Sequence, residues 1–167
     1  MKEMTKTNLQ AAFAGESQAH LRYLVYGDMA EREGLPNVAR LFRAASFSEQ
    51  IHATNHLRAL GGANASVKNL EVALGGENFE IAEMYPAYVE VAKLQDEKAA
   101  LTSMQRALEA EKVHSQLYAQ AKGAAEAKKD VELKDMYVCE VCGYTMEGEA
   151  PDRCPICGAP RARFRKF

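Results

Sequence analysis

The segment Ser48–His56, "SEQIHATNH", decides how the rest of the chain is interpreted. It lies in a stretch whose apolar residues recur at helical spacing. At about 100° per residue, Glu49, His52 and His56 fall on the same face as those apolar residues. A carboxylate that faces an apolar core costs several kcal/mol unless it is neutralised, paired or bound to a metal. The pattern therefore indicates a buried polar site on this helix.

The composition is typical of a globular protein with one core and room for a small second module: 167 residues, of which 47% are hydrophobic and 26% charged. A net charge of −2 gives no reason to expect nucleic acid as a partner. No run approaches the roughly 20 apolar residues of a membrane span, and the N-terminus lacks the apolar stretch of a signal peptide. We therefore expect a cytoplasmic protein whose thiols bind metal rather than form disulfides.

Periodicity and end signals predict two helices in the first part of the chain. The first runs over residues 7–32, with Thr7 as its N-cap, and Gly34 ends it. Pro36 suits the first turn of the second helix, which extends to about Leu60.

Two further helices follow a long crossover, which is predicted over residues 61–76, with a short helix of its own around "NLEVAL" as a further option. The third helix is expected to start near Glu77 and to be kinked at Pro86. The fourth begins after Asp96, a plausible N-cap, and continues to about Ala127.

Every one of these helices carries a glutamate on its apolar face, and two of them add a histidine three residues later. The residues are Glu16, Glu49, His52, Glu80, Glu111 and His114. The first two glutamates are 33 residues apart and the last two are 31 apart, so a helix-pair motif is used twice. One Glu from each of two helices plus a Glu-x-x-His from each of the other two is the ligand set of dinuclear iron or manganese bundles. For a single residue a hydrogen-bonded core group is the alternative, but the doubled set favours metal.

Charge counting agrees with this interpretation, because two divalent ions balance four carboxylates. Glu83 adds a fifth carboxylate that has no counterpart in the repeat, so it is either a surface residue or an additional ligand. His20 and His56 lie on the correct faces without repeat partners, and we place them beside the ligands rather than among them. Tyr23 and Tyr88 are candidates for proton or hydrogen-bond donors at the site, with plain packing as the alternative.

A cysteine-rich module ends the chain. Two Cys-x-x-Cys pairs are separated by 11 residues, and their members are Cys139, Cys142, Cys154 and Cys157. Four thiolates at this spacing indicate a tetrahedral zinc or iron site, and a structural zinc ribbon is the alternative to a redox iron. The redox character of the helical site favours iron. We interpret the basic tail "RARFRKF" as a solvated edge.

The motifs "AGESQAHLRY", "SEQIHA", "EIAEMYPAY", "LEAEKVHSQLY" and "YVCEVCGY…APDRCPICGAP" resemble those of rubrerythrins, in the same order. The resemblance implies an all-α ferritin-like four-helix bundle with a long crossover in residues 1–130. It also implies a linker over residues 131–136 and a small β rubredoxin-like metal-knuckle domain in residues 137–167.

The resemblance further implies a complete set of metal ligands. Two iron ions, bridged by an oxo group when oxidised, would be held by Glu16, Glu49, His52, Glu80, Glu83, Glu111 and His114. The carboxylate at Glu83 would trade places with His52 when the iron changes redox state, which makes both residues catalytic. One further iron, which zinc could replace, would be held by Cys139, Cys142, Cys154 and Cys157.

The implied activity is that of a diiron peroxidase that reduces hydrogen peroxide to water in oxidative-stress defence. Its own rubredoxin-type iron would relay electrons from a reduced donor protein, either an NAD(P)H-linked reductase or a rubredoxin. The resemblance implies homodimers, and neither nucleic acid nor a membrane is expected as a partner. The alternatives are a ferroxidase or other iron-handling protein, and a zinc-ribbon adaptor.

Overall fold

A computed structural model describes all 167 residues, and the chain forms two compact units, Met1–Asn64 and Ala65–Phe167. The first unit consists of helices α1 (Glu3–Arg32) and α2 (Pro36–Ala59). The second unit contains α3 (Ser66–Phe79), a π-helical turn (Glu80–Met84), α4 (Tyr85–Leu94), α5 (Lys98–Glu126) and three short strands. The predicted class, a helical domain followed by a small β module, is confirmed. None of the helices combines the length and the apolar character that a membrane span requires.

The turn between α1 and α2 matches the sequence signals. Gly34 has φ of +74°, a left-handed conformation that favours glycine, and Pro36 lies in the first turn of α2. The predicted cap at Thr7 is wrong, because α1 begins at Glu3 and no side chain caps it. An acidic residue in the first turn interacts favourably with the positive end of the helix dipole, which supports the earlier start.

Small side chains allow α1 and α2 to pack closely. Gly27 and Ala30 are buried on α1, and Ala39, Ser46 and Ala53 are buried on α2. A Cβ atom at Gly27 would lie 3.2 Å from Cγ of Arg43, which is tighter than an ordinary contact, and 3.5 Å from the carbonyl oxygen of Ala39. The contact face therefore has little room for larger side chains.

The third helical segment begins earlier than predicted. It starts at Ser66 rather than near Glu77, which shortens the connection from α2 to residues 60–65. Gly75 and Gly76 precede the predicted start of this helix, but both lie inside α3. A glycine weakens a helix by only about 1 kcal/mol, so the flanking residues maintain the helix through the pair.

The predicted irregularity at Pro86 takes the form of a wide turn. Proline has no N–H and its ring clashes with the preceding turn of an α-helix. The π-helical turn Glu80–Met84 comes directly before α4, where Pro86 occupies the first turn. Such turns are frequent at functional sites.

The boundary between α4 and α5 also differs in detail. The N-cap position of α5 is held by Glu97, not by the predicted Asp96, and no side chain caps the helix. Asp96 instead has φ of +54°, which aspartate tolerates better than most residues. The far end of α5, at Glu126, agrees with the prediction.

The C-terminal module is an antiparallel sheet of three strands around the cysteines. Strands β1 (Met136–Cys139), β2 (Thr145–Glu147) and β3 (Phe164–Lys166) are arranged in the order β2-β1-β3. Cys139, Cys154 and Ala159 are buried at its centre, and Tyr144, Ile156 and Phe164 pack around them. A core this small needs a further crosslink or metal for stability.

The α1–α2 contact generates a stability prediction. Ala39 is fully buried (0% exposed), so Ala39→Leu should lower the free energy of unfolding by about 1–3 kcal/mol through overpacking. Chemical denaturation would measure the loss. Ala44→Leu places the same side chain at an exposed position of α2 and serves as the control. Equal stability of the two variants would contradict the packing described.

Candidate metal centres

One group of metal-binding side chains lies in the first unit, between α1 and α2. Glu16 comes from α1, and Glu49 and His52 come from successive turns of α2. The Nδ1 atom of His52 lies 2.9 Å from Oε2 of Glu49 and 4.0 Å from Oε1 of Glu16. One ligand atom from each residue lies within 4.8 Å of the others, close enough to hold one ion. We call these three residues the first triad.

A second group with the same composition lies in the second unit, between α3 and α5. Glu77 comes from α3, and Glu111 and His114 come from α5. The Nδ1 atom of His114 lies 2.7 Å from Oε2 of Glu111 and 4.0 Å from Oε1 of Glu77. These residues form the second triad, and its geometry repeats that of the first.

The structure places Glu77, not Glu80, where the repeat requires a glutamate. Both Glu16 and Glu77 follow a glycine, in "GES" and "GEN", and this shared dipeptide was the sequence signal for the correct alignment. When Glu77 replaces Glu80 in the repeat, Glu77 and Glu111 are 34 residues apart, against 33 residues for Glu16 and Glu49. Glu77 was not predicted as a ligand, because the third helix was expected to start there.

Glu80 is a neighbour of the second triad, whereas Glu83 is not brought to it. Burial raises the pKa of Glu80, the charge of Glu111 raises it further, and His114 lowers it. Glu83 is exposed and belongs to neither triad. At about 100° per residue, Glu80 lies about 60° from Glu77 around the helix and Glu83 about 120° from it, which explains the difference.

The second triad concentrates negative charge that a cation would neutralise. Burial raises the pKa of Glu77 to about 7, and a hydrogen bond with Glu111 and the charges of Glu111 and Glu80 act in the same direction. Burial and the charges of the same three carboxylates also raise the pKa of Tyr85, which keeps the phenol protonated. This tyrosine was not predicted from the sequence.

The remaining predicted residues lie elsewhere. His20 is engaged with Ser46, because its Nδ1 is 2.9 Å from the Ser46 carbonyl oxygen and the Ser46 hydroxyl donates to the His20 carbonyl oxygen at 2.9 Å. Tyr23 packs against Tyr26 and Phe42, with ring centroids 6.3 and 6.0 Å away. Tyr88 is 49% exposed and belongs to neither triad. His56 is half-buried outside both triads.

The four cysteines converge on one point in the C-terminal module. The Sγ atoms of Cys139 and Cys157 are 3.7 Å apart, and those of Cys142 and Cys154 are 3.6 Å apart. None of the four forms a disulfide. Sulfur ligands about 2.3 Å from a tetrahedral metal lie about 3.8 Å from one another, so the cluster has the dimensions of such a site.

Each cysteine pair is closed by a glycine in the left-handed conformation. Gly143 has φ of +78° and donates its N–H to the carbonyl oxygen of Cys139, and Gly158 has φ of +74° and donates to that of Cys154. Burial raises the pKa of Cys142. Burial also acts to raise the pKa of Cys154, but the N–H groups of Cys157 and Ile156 lower it overall. These N–H groups would stabilise a thiolate bound to metal.

The donor atoms of the three clusters fit iron. Carboxylate oxygens with one imidazole in each triad suit iron or manganese, and four thiolates suit iron or zinc. Each Glu-Glu-His triad offers ligands for one ion and the cysteines offer four thiolates for another, so the chain carries two kinds of metal site.

Comparison with known proteins identifies relatives over the whole chain. The family model described as Rubrerythrin matches residues 7–122, and the model described as Rubrerythrin, rubredoxin-like domain, matches residues 137–165. Rubrerythrin-2 of Clostridium acetobutylicum is 41% identical over 98% of this chain and 97% of its own length. Nigerythrin of Nitratidesulfovibrio vulgaris is 32% identical over 98% of this chain and 86% of its own length.

Solved structures of nigerythrin are similar in fold. Its fully reduced, all-ferrous state matches with a TM-score of 0.57 and 30% identity, and covers 98% of this chain and 86% of that chain. Its mixed-valence state gives the same TM-score with 31% identity. The matches extend over the helical and the cysteine-rich parts, in the order that the sequence motifs predicted.

The raised pKa of Glu77 generates a pH prediction for the iron-free protein. Between the usual pKa of 4.5 and the folded value of about 7, the folded state binds more protons than the unfolded state. The free energy of unfolding should therefore fall as the pH rises through this window. Glu77→Gln removes the titrating group and should flatten the dependence, which denaturation at a series of pH values would measure.

The matched control for this experiment is Glu83→Gln, which makes the same chemical change on the exposed side of the helix. It should retain the slope of the unaltered protein. A Glu77→Gln variant with that same slope would contradict the described environment of Glu77.

Proposed function

This chain belongs to the rubrerythrin family and has its two kinds of iron site, and from that premise we propose that it is a non-haem diiron peroxidase. The reaction is H₂O₂ + 2 H⁺ + 2 e⁻ → 2 H₂O, in which the oxygen–oxygen bond breaks and each oxygen leaves as water. We assign residues 1–130 to the ferritin-like part, residues 131–136 to a linker and residues 137–167 to the rubredoxin-like part.

The observation that carries this proposal is the presence of two Glu-Glu-His triads and one cluster of four cysteines in a single chain. A pair of iron ions supplies both electrons for peroxide reduction in one step and so avoids release of a hydroxyl radical. The cysteine cluster holds a one-electron centre, which must be used twice for each peroxide. A dinuclear site with a built-in electron donor is suited to turnover rather than to storage.

We assign the diiron ligands to the two triads together with Glu80. Burial and the charge of Glu111 raise the pKa of both Glu77 and Glu80 in the second unit, so a cation among these carboxylates relieves repulsion that the iron-free protein carries. The additional carboxylate that the resemblance placed at Glu83 is then Glu80. In this assignment Glu80, rather than Glu83, would be the carboxylate that trades places with His52 when iron is bound.

Tyr85 is the residue that we assign as a hydrogen-bond donor at this site. Its phenol is half-buried and interacts electrostatically with Glu77, Glu80 and Glu111, which keep the proton on Oη. A protonated phenol beside the carboxylates is able to donate to an oxygen atom of the bound substrate. Of the two earlier candidates, Tyr88 is exposed and Tyr23 packs among aromatic rings.

The proposed partners follow from the electron balance. A reduced protein, either an NAD(P)H-linked reductase or a rubredoxin, must return two electrons after each turnover, and the cytoplasm of an oxygen-sensitive cell is the setting proposed for this defence. We also propose a homodimer. Large apolar side chains of the first unit are exposed, as expected where a partner covers them: Leu21, Val25, Leu41, Phe47 and Ile51.

The relay generates the first functional prediction. Cys139→Ser should abolish steady peroxidase activity with a protein donor, because the cysteine cluster loses a ligand. A single oxidation of the chemically reduced diiron site by peroxide should still take place, because one turnover needs no relay. Stopped-flow absorption measures the single turnover, and donor oxidation measures the steady rate.

Steady turnover of Cys139→Ser at the unaltered rate would disprove the relay. If peroxide fails to oxidise the chemically reduced diiron site of the unaltered protein, the proposed peroxidase activity is disproved. Retention of more than about three iron ions per chain during aerobic iron addition would favour the iron-handling alternative, since the three clusters hold one dinuclear and one mononuclear site.

The ligand assignment generates a second prediction. Glu77→Gln should lose at least one iron ion of the helical site, because an amide is a weaker ligand than a carboxylate and the charge balance changes. Glu83→Gln should retain the full content. Metal analysis of both variants after anaerobic loading distinguishes the assignments, and the opposite pattern would return the role to Glu83.

A further inference from the structure

The imidazole of His114 makes a contact that its counterpart in the first triad does not make. Its Nε2 atom lies 2.8 Å from Oγ1 of Thr145 on strand β2, 31 residues further along the chain. The bond joins a candidate iron ligand on α5 to the rubredoxin-like module, and both partners belong to the second unit. Thr145 is buried, with 8% of its surface exposed.

The hydrogen-bond direction follows from the other contact of Thr145. Its hydroxyl donates to the carbonyl oxygen of Gly143 at 3.1 Å. With its single hydrogen directed at Gly143, Oγ1 is free to accept a hydrogen bond from Nε2–H of His114. An imidazole that binds a metal through Nδ1, the atom that lies 2.7 Å from Oε2 of Glu111 and 4.0 Å from Oε1 of Glu77, carries its proton on Nε2 and can donate it to Thr145.

The surroundings favour this one arrangement. The cavity beside the two side chains is lined mainly by apolar residues, among them Leu70, Leu117, Ala121, Leu133 and Met136. Tyr118 is the polar exception, with its ring centroid 6.5 Å from that of His114, but Nε2 is hydrogen-bonded to Thr145 and not to this phenol. The hydrogen bond to Thr145 therefore holds the ring orientation of His114.

The first triad provides an internal comparison. The Nδ1 atom of His52 faces Glu49 and Glu16 in the same way, but its Nε2 atom makes no hydrogen bond in this structure. The side chain of His52 is 51% exposed, against 29% for His114. Two halves of one repeat thus hold their histidines differently.

We propose that Thr145 is a positioning residue that prepares His114 to bind iron through Nδ1 and makes this ligand depend on the rubredoxin-like module. Thr145 follows Cys142 by three residues, and the turn that carries it is closed by the hydrogen bond from Gly143 to Cys139. The fold of the cysteine cluster consequently sets the position of the hydroxyl. The proposal rests on the proposed function only in taking His114 as an iron ligand.

The test uses Thr145→Val, which keeps the shape and removes the hydroxyl, and Thr145→Ser, which keeps the hydroxyl. Partners of a ligating histidine typically change metal affinity by about 10- to 100-fold. We expect Thr145→Val to weaken ferrous iron binding at the helical site by that factor in anaerobic titrations of the full-length chain. Thr145→Ser should bind within about twofold of the unaltered protein.

A second measurement reports the hydrogen bond itself. In the zinc-loaded chain with ¹⁵N-labelled histidine, NMR should detect one Nε2–H proton protected from exchange, and Thr145→Val should remove it. His20, which is hydrogen-bonded to Ser46, provides a reference signal that should not change in this variant. Thr102→Val on α5, where the hydroxyl contacts only the Lys98 carbonyl oxygen, is the matched control for loss of a threonine hydroxyl.

The outcomes separate this proposal from the peroxidase. The visible spectrum of the ferric cysteine site, unchanged in Thr145→Val, establishes that the module is folded. With that spectrum intact, unaltered iron affinity or a retained protected proton would overturn the positioning role. Weakened iron binding in a protein that lacks peroxidase activity would support Thr145 and reject only the proposed function.

Discussion

The arrangement of the helices depends on carboxylates that are placed among partly buried side chains and close to one another. Each unit brings two glutamates and one histidine within the reach of a single cation. Without a cation this arrangement is unfavourable, because like charges repel and partial burial disfavours ionisation, and the raised pKa of Glu77 expresses both effects. Iron reverses the sign of the interaction, so that the same residues that destabilise the iron-free fold stabilise the loaded one.

Much of this arrangement could be predicted from the sequence. Gly34 and Pro36 marked the first turn correctly, and the cysteine spacing identified a tetrahedral site whose sulfur atoms the structure brings to 3.6–3.7 Å. The first triad was predicted in full. These features depend on residues that are close in sequence or repeat with a helical period, and such local patterns constrain structure strongly.

The second half of the repeat was harder, for a physical reason. Glutamates three residues apart on a helix differ by only about 60° in direction, so periodicity alone does not choose between Glu77 and Glu80. The choice depended on whether Gly75 and Gly76 interrupt the helix, and propensities of about 1 kcal/mol per glycine are too small to decide it. Contacts between distant segments, such as that of His114 with Thr145, leave no periodic signal in a single sequence.

The repeat is symmetric in its ligands but not in what supports them, and this difference matters for redox chemistry. A ligand that must leave the metal when the oxidation state changes needs a side chain with freedom to rotate and no competing anchor. His52, with half of its surface exposed and its Nε2 atom unbonded, meets that requirement. A ligand that keeps the iron in place between turnovers needs the opposite, and the Thr145 hydroxyl provides it for His114. In the proposed assignment, exchange at His52 therefore involves the histidine that lacks a contact with the cysteine module, whereas His114 has one.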